Sequence, residues 1–227
     1  MRKKIEHALI MAAGRGMRMM PLTSHIPKPM ILFEGITLIE NGIQKLKKHI
    51  PHIHITVGYK GAVLAEHVIK LGVDSVFNTE GKGNSWWLYN TFVKYQCEPM
   101  YVLTCDNVIE IDFDALADDY YKLGEPANMV VPVTPIKGLN GDYIFHENNR
   151  VVKISRDEVS PIYCSGIQVI NPAKVNRLTS PSESFYSVWN QLIEKKELFS
   201  SNLHPQRWLA IDTVEQLEEA RSKKNKE

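Results

Sequence analysis

The sequence predicts an α/β fold of three layers, with helices on both sides of a mostly parallel, mixed sheet. Strand-like and helix-like segments alternate through the first half of the chain, the pattern of βαβ crossovers. At 227 residues and 44% apolar composition, the chain can bury the core of one large α/β domain. The first apolar run also empties into a glycine-rich, cationic loop. In a parallel sheet such a loop lies beyond the carboxyl ends of the strands, where ligands sit.

Taken in order, strand-like runs fall at 8–13, 52–58, 75–78 and 100–105. Helical patterns fill 37–49, 61–71 and 85–95 between them. Ile39, Ile43 and Leu46 recur at helical spacing while Lys45, Lys47 and Lys48 turn elsewhere. Further on, 129–133, 143–146, 151–154 and 162–170 read as short strands separated by Asn-Gly-Asp and Glu-Asn-Asn-Arg turns. Gly138, Asn140 and Gly141 suggest a mobile or close-approach loop. Helical patterns return at 184–196 and 213–223, around a strand at 207–211. No linker, repeat or low-complexity tract interrupts the chain, so residues 1–227 read as one domain.

Composition excludes several classes. With 27 basic and 26 acidic residues the formal net charge is +1, which gives no polyanion-binding signal and argues against a nucleic-acid partner. The basic run 221–227 reads as a frayed, solvated helix end. No run of 18 apolar residues exists to cross a membrane, and the start lacks the apolar segment of a signal peptide. Cys97, Cys105 and Cys164 are odd in number and widely spaced. That favours reduced thiols in the cytoplasm over disulfides or a zinc site.

Residues 11–30 read MAAGRGMRMMPLTSHIPKPM. Ala12, Ala13, Gly14 and Gly16 are small enough for backbone N–H groups to approach a polyphosphate, and Arg18 and Lys28 add two cations. The loop is not a Walker A motif, since no Gly-Lys-Ser/Thr follows, and it lacks the third glycine of GxGxxG. GxGxR followed by Pro-Leu-Thr and Pro-Lys-Pro is far more specific. It resembles the signature LAAGxGxRxxPLTxxxPKPM of the sugar-phosphate nucleotidylyltransferases, a GT-A-like group of NTP transferases. That resemblance implies a Rossmann-like fold of the nucleotide-diphospho-sugar transferase type, with 1–125 as the nucleotide-binding half and 126–227 as the acceptor-binding half with the C-terminal helices. It implies that Met11, Ala12, Ala13, Gly14, Arg15 and Gly16 wrap a nucleoside triphosphate, that Arg18 and Lys28 are catalytic, and that Mg2+ is the cofactor. The chemistry explains those residue types. A phosphate oxygen attacks the α-phosphorus in line, pyrophosphate leaves, and fixed cations stabilise the accumulating charge.

Leu103-Thr104-Cys105-Asp106-Asn107 puts an aspartate just past an apolar strand, as a phosphate-held magnesium requires, although turn and capping aspartates are common. Its likeness to the family's LGDN or NGDV makes Asp106 the metal ligand and a nucleotide contact. Asp112 and Asp114 better fit the start of a helix at Phe113. In Trp208-Leu209-Ala210-Ile211-Asp212-Thr213, Ala210 stands where the family often has an acid. Asp212 is then either a second metal carboxylate or the cap of the following helix.

The slot that reads the base in the family holds Asn84-Ser85, closer to the turn of phosphocholine cytidylyltransferase-like members. Asn84 can contact a base edge or ribose and Lys82 a phosphate, or the segment is a glycine turn with an Asn-Ser cap. Of Trp86 and Trp87, which offer stacking surfaces, at least one belongs to the core. Cys164, Ser165 and Gly166 resemble the family's NAGIYVF segment, which admits the acceptor, with Cys164 replacing the usual Asn. His52 and His54 alternate along a strand as ordinary surface groups.

The expected activity is transfer of a nucleotide from a nucleoside triphosphate to a phosphomonoester, a sugar 1-phosphate, giving an NDP-sugar and pyrophosphate. The alternatives are cytidylyl transfer to phosphocholine or another non-sugar phosphate, and a non-catalytic nucleotide-binding regulatory protein. The expected partners are small molecules without nucleic acid or membrane, and a homo-oligomer stays open.

Overall fold

The computed structural model describes residues 3–136 and 141–224. The strands are β1 (His7–Met11), β2 (Leu32–Phe33), β3 (Ile36–Thr37), β4 (His52–Val57), β5 (Ser75–Asn78), β6 (Met100–Thr104), β7 (Asn107–Glu110), β8 (Asn128–Val133), β9 (Tyr143–Glu147), β10 (Arg150–Ser155), β11 (Tyr163–Ile170), β12 (Leu198–Ser200) and β13 (Arg207–Ala210). The helices are α1 (Leu38–Lys47), α2 (Gly61–Lys70), α3 (Trp86–Asn90), α4 (Phe113–Lys122), α5 (Pro172–Leu178), α6 (Phe185–Glu194) and α7 (Val214–Lys224). The chain forms two compact units. The first comprises His7–Gly81, Leu103–Glu110 and Arg207–Glu227, and the second Met1–Glu6, Lys82–Val102 and Ile111–Gln206.

In the first unit β1 runs parallel to β4, with His7 opposite His52, and β4 runs parallel to β5. β4 is buried at every position after His52, as a strand covered on both faces must be. Helix α1 starts where the Thr37 hydroxyl accepts the Glu40 N–H, and it buries Leu38, Ile39, Ile43 and Leu46. A satellite core of Met19, Ile31, Phe33, Leu38, Val108, Ile211, Leu217 and Ala220 joins the glycine-rich loop to α1, β7 and α7. Antiparallel pairing of β7 with β13 sets Ala210 opposite Asn107.

In the second unit β11 pairs antiparallel with β6 and β8, β12 runs parallel to β8, and β10 pairs antiparallel with β12 and β9. The α/β class and the mixed sheet are those the sequence predicts, with parallel pairing concentrated in β1, β4 and β5. Asp112 caps α4 by accepting the Ala115 N–H, as expected.

Several local expectations change. The helix expected over 85–95 breaks at Thr91, whose extended backbone ends α3. The Thr91 hydroxyl donates to Trp87 O and accepts the Val93 N–H, so a separate 3-10 turn begins at Phe92. Trp87 is the buried tryptophan of its pair. His54 is not a surface group: it is 5% exposed, because both faces of β4 are covered. Gly138 and Asn140 lie outside the described residues, while Gly141 packs so closely on Tyr163 that a β-carbon would fall 2.8 Å from the ring. The short strands β7 and β12 and helix α5 were not expected.

Candidate active site

The glycine-rich loop is shaped by contacts that its sequence makes with itself. Gly16 has φ 64°, the left-handed region, and a β-carbon there would sit 2.7 Å from Lys28 Cβ. Its carbonyl accepts the Met19 N–H at 2.9 Å and the Thr23 hydroxyl at 2.9 Å. Met19 is fully buried in the satellite core and plants the loop, whereas Met17 and Met20 face solvent. Pro27 holds an extended backbone before the single 3-10 turn Lys28–Met30, which carries the Lys28 side chain inward.

Lys28 is the centre of the charged cluster. Its Nζ donates to Asp106 Oδ2 at 2.8 Å and to Asp212 Oδ1 at 2.7 Å, and its side chain is 8% exposed. Arg18 approaches the same Asp212 oxygen at 3.1 Å from a largely exposed position. Burial pushes the Lys28 ammonium toward neutrality, but the carboxylates of Asp106 and Asp212 outweigh it and raise its pKa above the ordinary lysine value. For Asp106, burial raises the pKa while the charge and hydrogen bond of Lys28, helped by a bond from Thr104, lower it further. The carboxyl stays ionised. Burial drives the neighbouring Cys105 thiol upward, so it stays protonated.

Asp212 is not a helix cap. Thr213 Oγ1 accepts the Gln216 N–H at 3.2 Å, and Gln216 Oε1 accepts the N–H groups of Asp212 at 2.7 Å and Thr213 at 3.2 Å. This reciprocal capping box starts α7 without the Asp212 carboxylate, which turns to Lys28 and Arg18 instead. Arg18, Lys28, Asp106 and Asp212 therefore meet in one cluster, all within the first unit.

The remaining expected residues divide by role. Met11 O accepts the Cys105 N–H, and the Ala12 N–H donates to Thr56, so both tie the loop to neighbouring strands. Space beside Gly14 is open, and the Arg15 guanidinium lies 5.2 Å from the Tyr59 ring centre. Asn84, Cys164, Ser165 and Gly166 belong to the second unit. There Asn84 Oδ1 accepts the Phe185 N–H at 2.9 Å, holding the first turn of α6. Ser165 is buried, with its hydroxyl donating to Val131 O at 2.7 Å and accepting the Ile167 N–H. Those bonds stabilise the irregularity in β11 between Cys164 and Gln168. Burial raises the Cys164 thiol well above its usual pKa.

Thr23 enters the sequence reading only as the Thr of Pro-Leu-Thr, and Thr56, Gly58 and Tyr59 were missed. The last two follow β4 at the carboxyl end of a strand adjacent to β1, which is where a parallel sheet places loop-supporting groups.

The family model for nucleotidyl transferases matches residues 7–154. The chain belongs to that family. It is 24% identical over 209 residues to the mannose-1-phosphate guanylyltransferase catalytic subunit beta of Drosophila melanogaster, covering 86% of this chain and 57% of the fly protein. The chain thus spans little more than half the length of that relative. Among solved structures, this nucleotidyl transferase fold is similar to the inositol-1-phosphate CTP transferase from T. maritima, with TM-score 0.77 and 20% identity over 98% and 97% of the two chains. It is also similar to CTP:phosphocholine cytidylyltransferase from Streptococcus pneumoniae, with TM-score 0.76 and 23% identity over 95% and 97%.

Proposed function

We propose that this protein transfers a nucleotidyl group from a nucleoside triphosphate to a phosphomonoester, a sugar 1-phosphate, and releases pyrophosphate. The observation that carries the reading is the convergence of Lys28, Asp106, Asp212 and Arg18 at the foot of the GxG loop. An oxygen of the acceptor phosphate attacks the α-phosphorus, the bond from that phosphorus to the β-phosphate bridging oxygen breaks, and the electron pair leaves with pyrophosphate. Lys28, held rigidly and kept charged, offsets negative charge on the α-phosphate and the acceptor. Arg18, more exposed, meets the β- and γ-phosphates. No side-chain nucleophile is needed, since the acceptor brings its own.

The donor set fits magnesium. Two carboxylates from separate turns converge on one point, and no group of three His, Cys, Asp or Glu side chains suited to a metal exists among the described residues. Magnesium is usually held by one or two carboxylates plus substrate phosphates, so Asp106 and Asp212 would hold it and the triphosphate would complete its shell. When bound it supplies Lewis-acid neutralisation of phosphate charge. Three free thiols, together with no described helix long and apolar enough to cross a membrane, support a cytoplasmic setting.

A second reading, cytidylyl transfer to phosphocholine or another non-sugar phosphate, is favoured by the likeness of Asn84-Ser85 to the turn of phosphocholine cytidylyltransferase-like members. Pyrophosphate release measured for each nucleoside triphosphate against a panel of sugar 1-phosphates, phosphocholine and inositol phosphate separates the two. Chelation of divalent cations is expected to abolish release, and added Mg2+ to restore it. Triphosphate binding with no release from any pair would identify a regulatory protein instead.

A further inference from the structure

Tyr59 has no counterpart in the motifs quoted above, yet it touches the glycine-rich loop at both of its ends. Its backbone N–H donates to Ala13 O at 3.2 Å, where the chain leaves β1. Its hydroxyl donates to Thr23 O at 3.1 Å, with Ser24 O at 3.5 Å, where the chain turns toward Pro27. Gly58 makes the first contact possible, since a β-carbon there would fall 2.6 Å from Ala13 O. Beyond Tyr59 the connection continues. The Thr23 hydroxyl donates to Gly16 O, and Gly16 packs on Lys28 Cβ with no room for a side chain. The Tyr59 ring also gathers two cations, Arg15 at 5.2 Å and Lys60 at 5.6 Å from its centre.

We infer that Tyr59 is a positioning residue: it clamps the phosphate-binding loop between Ala13 and Thr23 and sets Arg15 beside it, so that the loop meets a triphosphate preformed. A loop of small residues has many conformations to lose on binding, and a clamp at both ends removes that cost in advance. The tyrosine therefore governs triphosphate affinity, while the acceptor is indifferent to it. This inference rests on the proposed nucleotidyl-transfer site.

The test is equilibrium titration of the full chain with CTP, GTP, UTP and dTTP, followed with the tightest of the four. Tyr59→Phe keeps the ring under Arg15 and loses the hydroxyl clamp; loss of one such hydrogen bond is expected to weaken binding about five-fold. Tyr59→Leu removes the hydroxyl bond and the ring together, keeping only the backbone bond to Ala13, and is expected to weaken it about twenty-fold. Arg15→Ala is expected to weaken binding about five-fold in the native background and by less than about two-fold in Tyr59→Leu, because the arginine has already lost its seat. Where pyrophosphate release is measurable, KM for the triphosphate follows the same order while KM for the acceptor stays unchanged. A structural role would instead lower Tm and shift both KM values together. Native affinity in both Tyr59 variants, or an equal cost of Arg15→Ala in both backgrounds, overturns the inference; if Tyr59→Leu does not fold, Tyr59→Phe decides alone. A native protein that binds triphosphate without releasing pyrophosphate defeats the catalytic reading and leaves the Tyr59 test intact. One that binds none of the four defeats both.

Discussion

Strands β1 and β4 bury ionisable groups near both of their ends, and the two ends treat charge in opposite ways. Beyond the carboxyl ends, Lys28 stays an ammonium because Asp106 and Asp212 meet it at hydrogen-bond distance. At the amino ends, His54 is equally buried but keeps no charge. Its Nε2 lies 3.1 Å from His7 Nδ1 and its Nδ1 lies 2.7 Å from Ser75 Oγ, while the His7 ring stacks on both His52 and His54. Burial above all, with His7 and His52, lowers the His54 pKa to about 4, and Asp74, already bonded to the Ile53 N–H and facing His52, only partly opposes them. Burial alone does not decide ionisation; the partner does. One end keeps its charge by pairing it, and the other keeps charge out of the sheet.

The sharpest break comes at the charged end. Lys28→Ala removes the cation on which two carboxylates converge, and turnover is expected to fall on the order of 10²-fold or more, as for loss of a preorganised oxyanion donor. Asp106 and Asp212 are left facing each other without their shared counter-charge, so the variant also melts earlier. Pyrophosphate release and a thermal melt on the same sample check both, and wild-type turnover in a folded variant refutes the role of Lys28.

The histidine end is tested by pH. A group whose folded pKa lies below its unfolded value leaves the unfolded chain binding more protons. Stability is then full above the unfolded value and lost as pH falls through the folded one. For His54 that window runs from about 6.5 down to about 4, and a shift of this size is worth about 3 kcal/mol. Urea unfolding at several pH values across the window is expected to show the loss, and His54→Gln, which cannot gain the proton, to flatten most of it. Parallel curves for both proteins put the acid sensitivity elsewhere. Asp74, whose pKa is held below the usual carboxylate value by the Ile53 N–H and by His52 against some desolvation, adds its own loss only at the acid limit of that window and beyond.

How much of this was legible follows from how local each cause is. Residues 11–30 are readable because the glycines and prolines act on their own loop, and Asp106 because it follows an apolar strand directly; that Lys28 and Arg18 pair with Asp106 and Asp212 is not local and cannot be read there. His54 misleads because His-Ile-His-Ile alternates like a half-exposed strand; β4 lies between β1 and β5 with both faces covered, which no local pattern encodes. The break at Thr91 came from a hydroxyl competing with the helix. α5 carries local signals of its own, an Asn171 cap and Pro172 at its first turn. Tyr59 was invisible, since its hydroxyl reaches 36 residues back along the chain.

The smallest expected effect bears on the residue that the sequence left undecided. Asp212 was readable as a metal carboxylate or as a helix cap, and Thr213 with Gln216 takes the capping role. Thr213→Ala removes the side-chain acceptor of that box and is expected to cost about 1 kcal/mol of stability. Asp212 is then the nearest replacement acceptor, and each time its carboxylate turns to the helix it leaves Lys28 and Arg18. If the two roles compete, turnover in Thr213→Ala falls by more than the stability loss alone explains, and Asp212→Asn in the same background produces little further destabilisation of α7. Unchanged turnover in a measurably destabilised Thr213→Ala shows the opposite: that the charged end holds Asp212 strongly enough to leave the helix uncapped. Either result measures how firmly the carboxyl-end cluster keeps its charges, the property that the histidine end lacks.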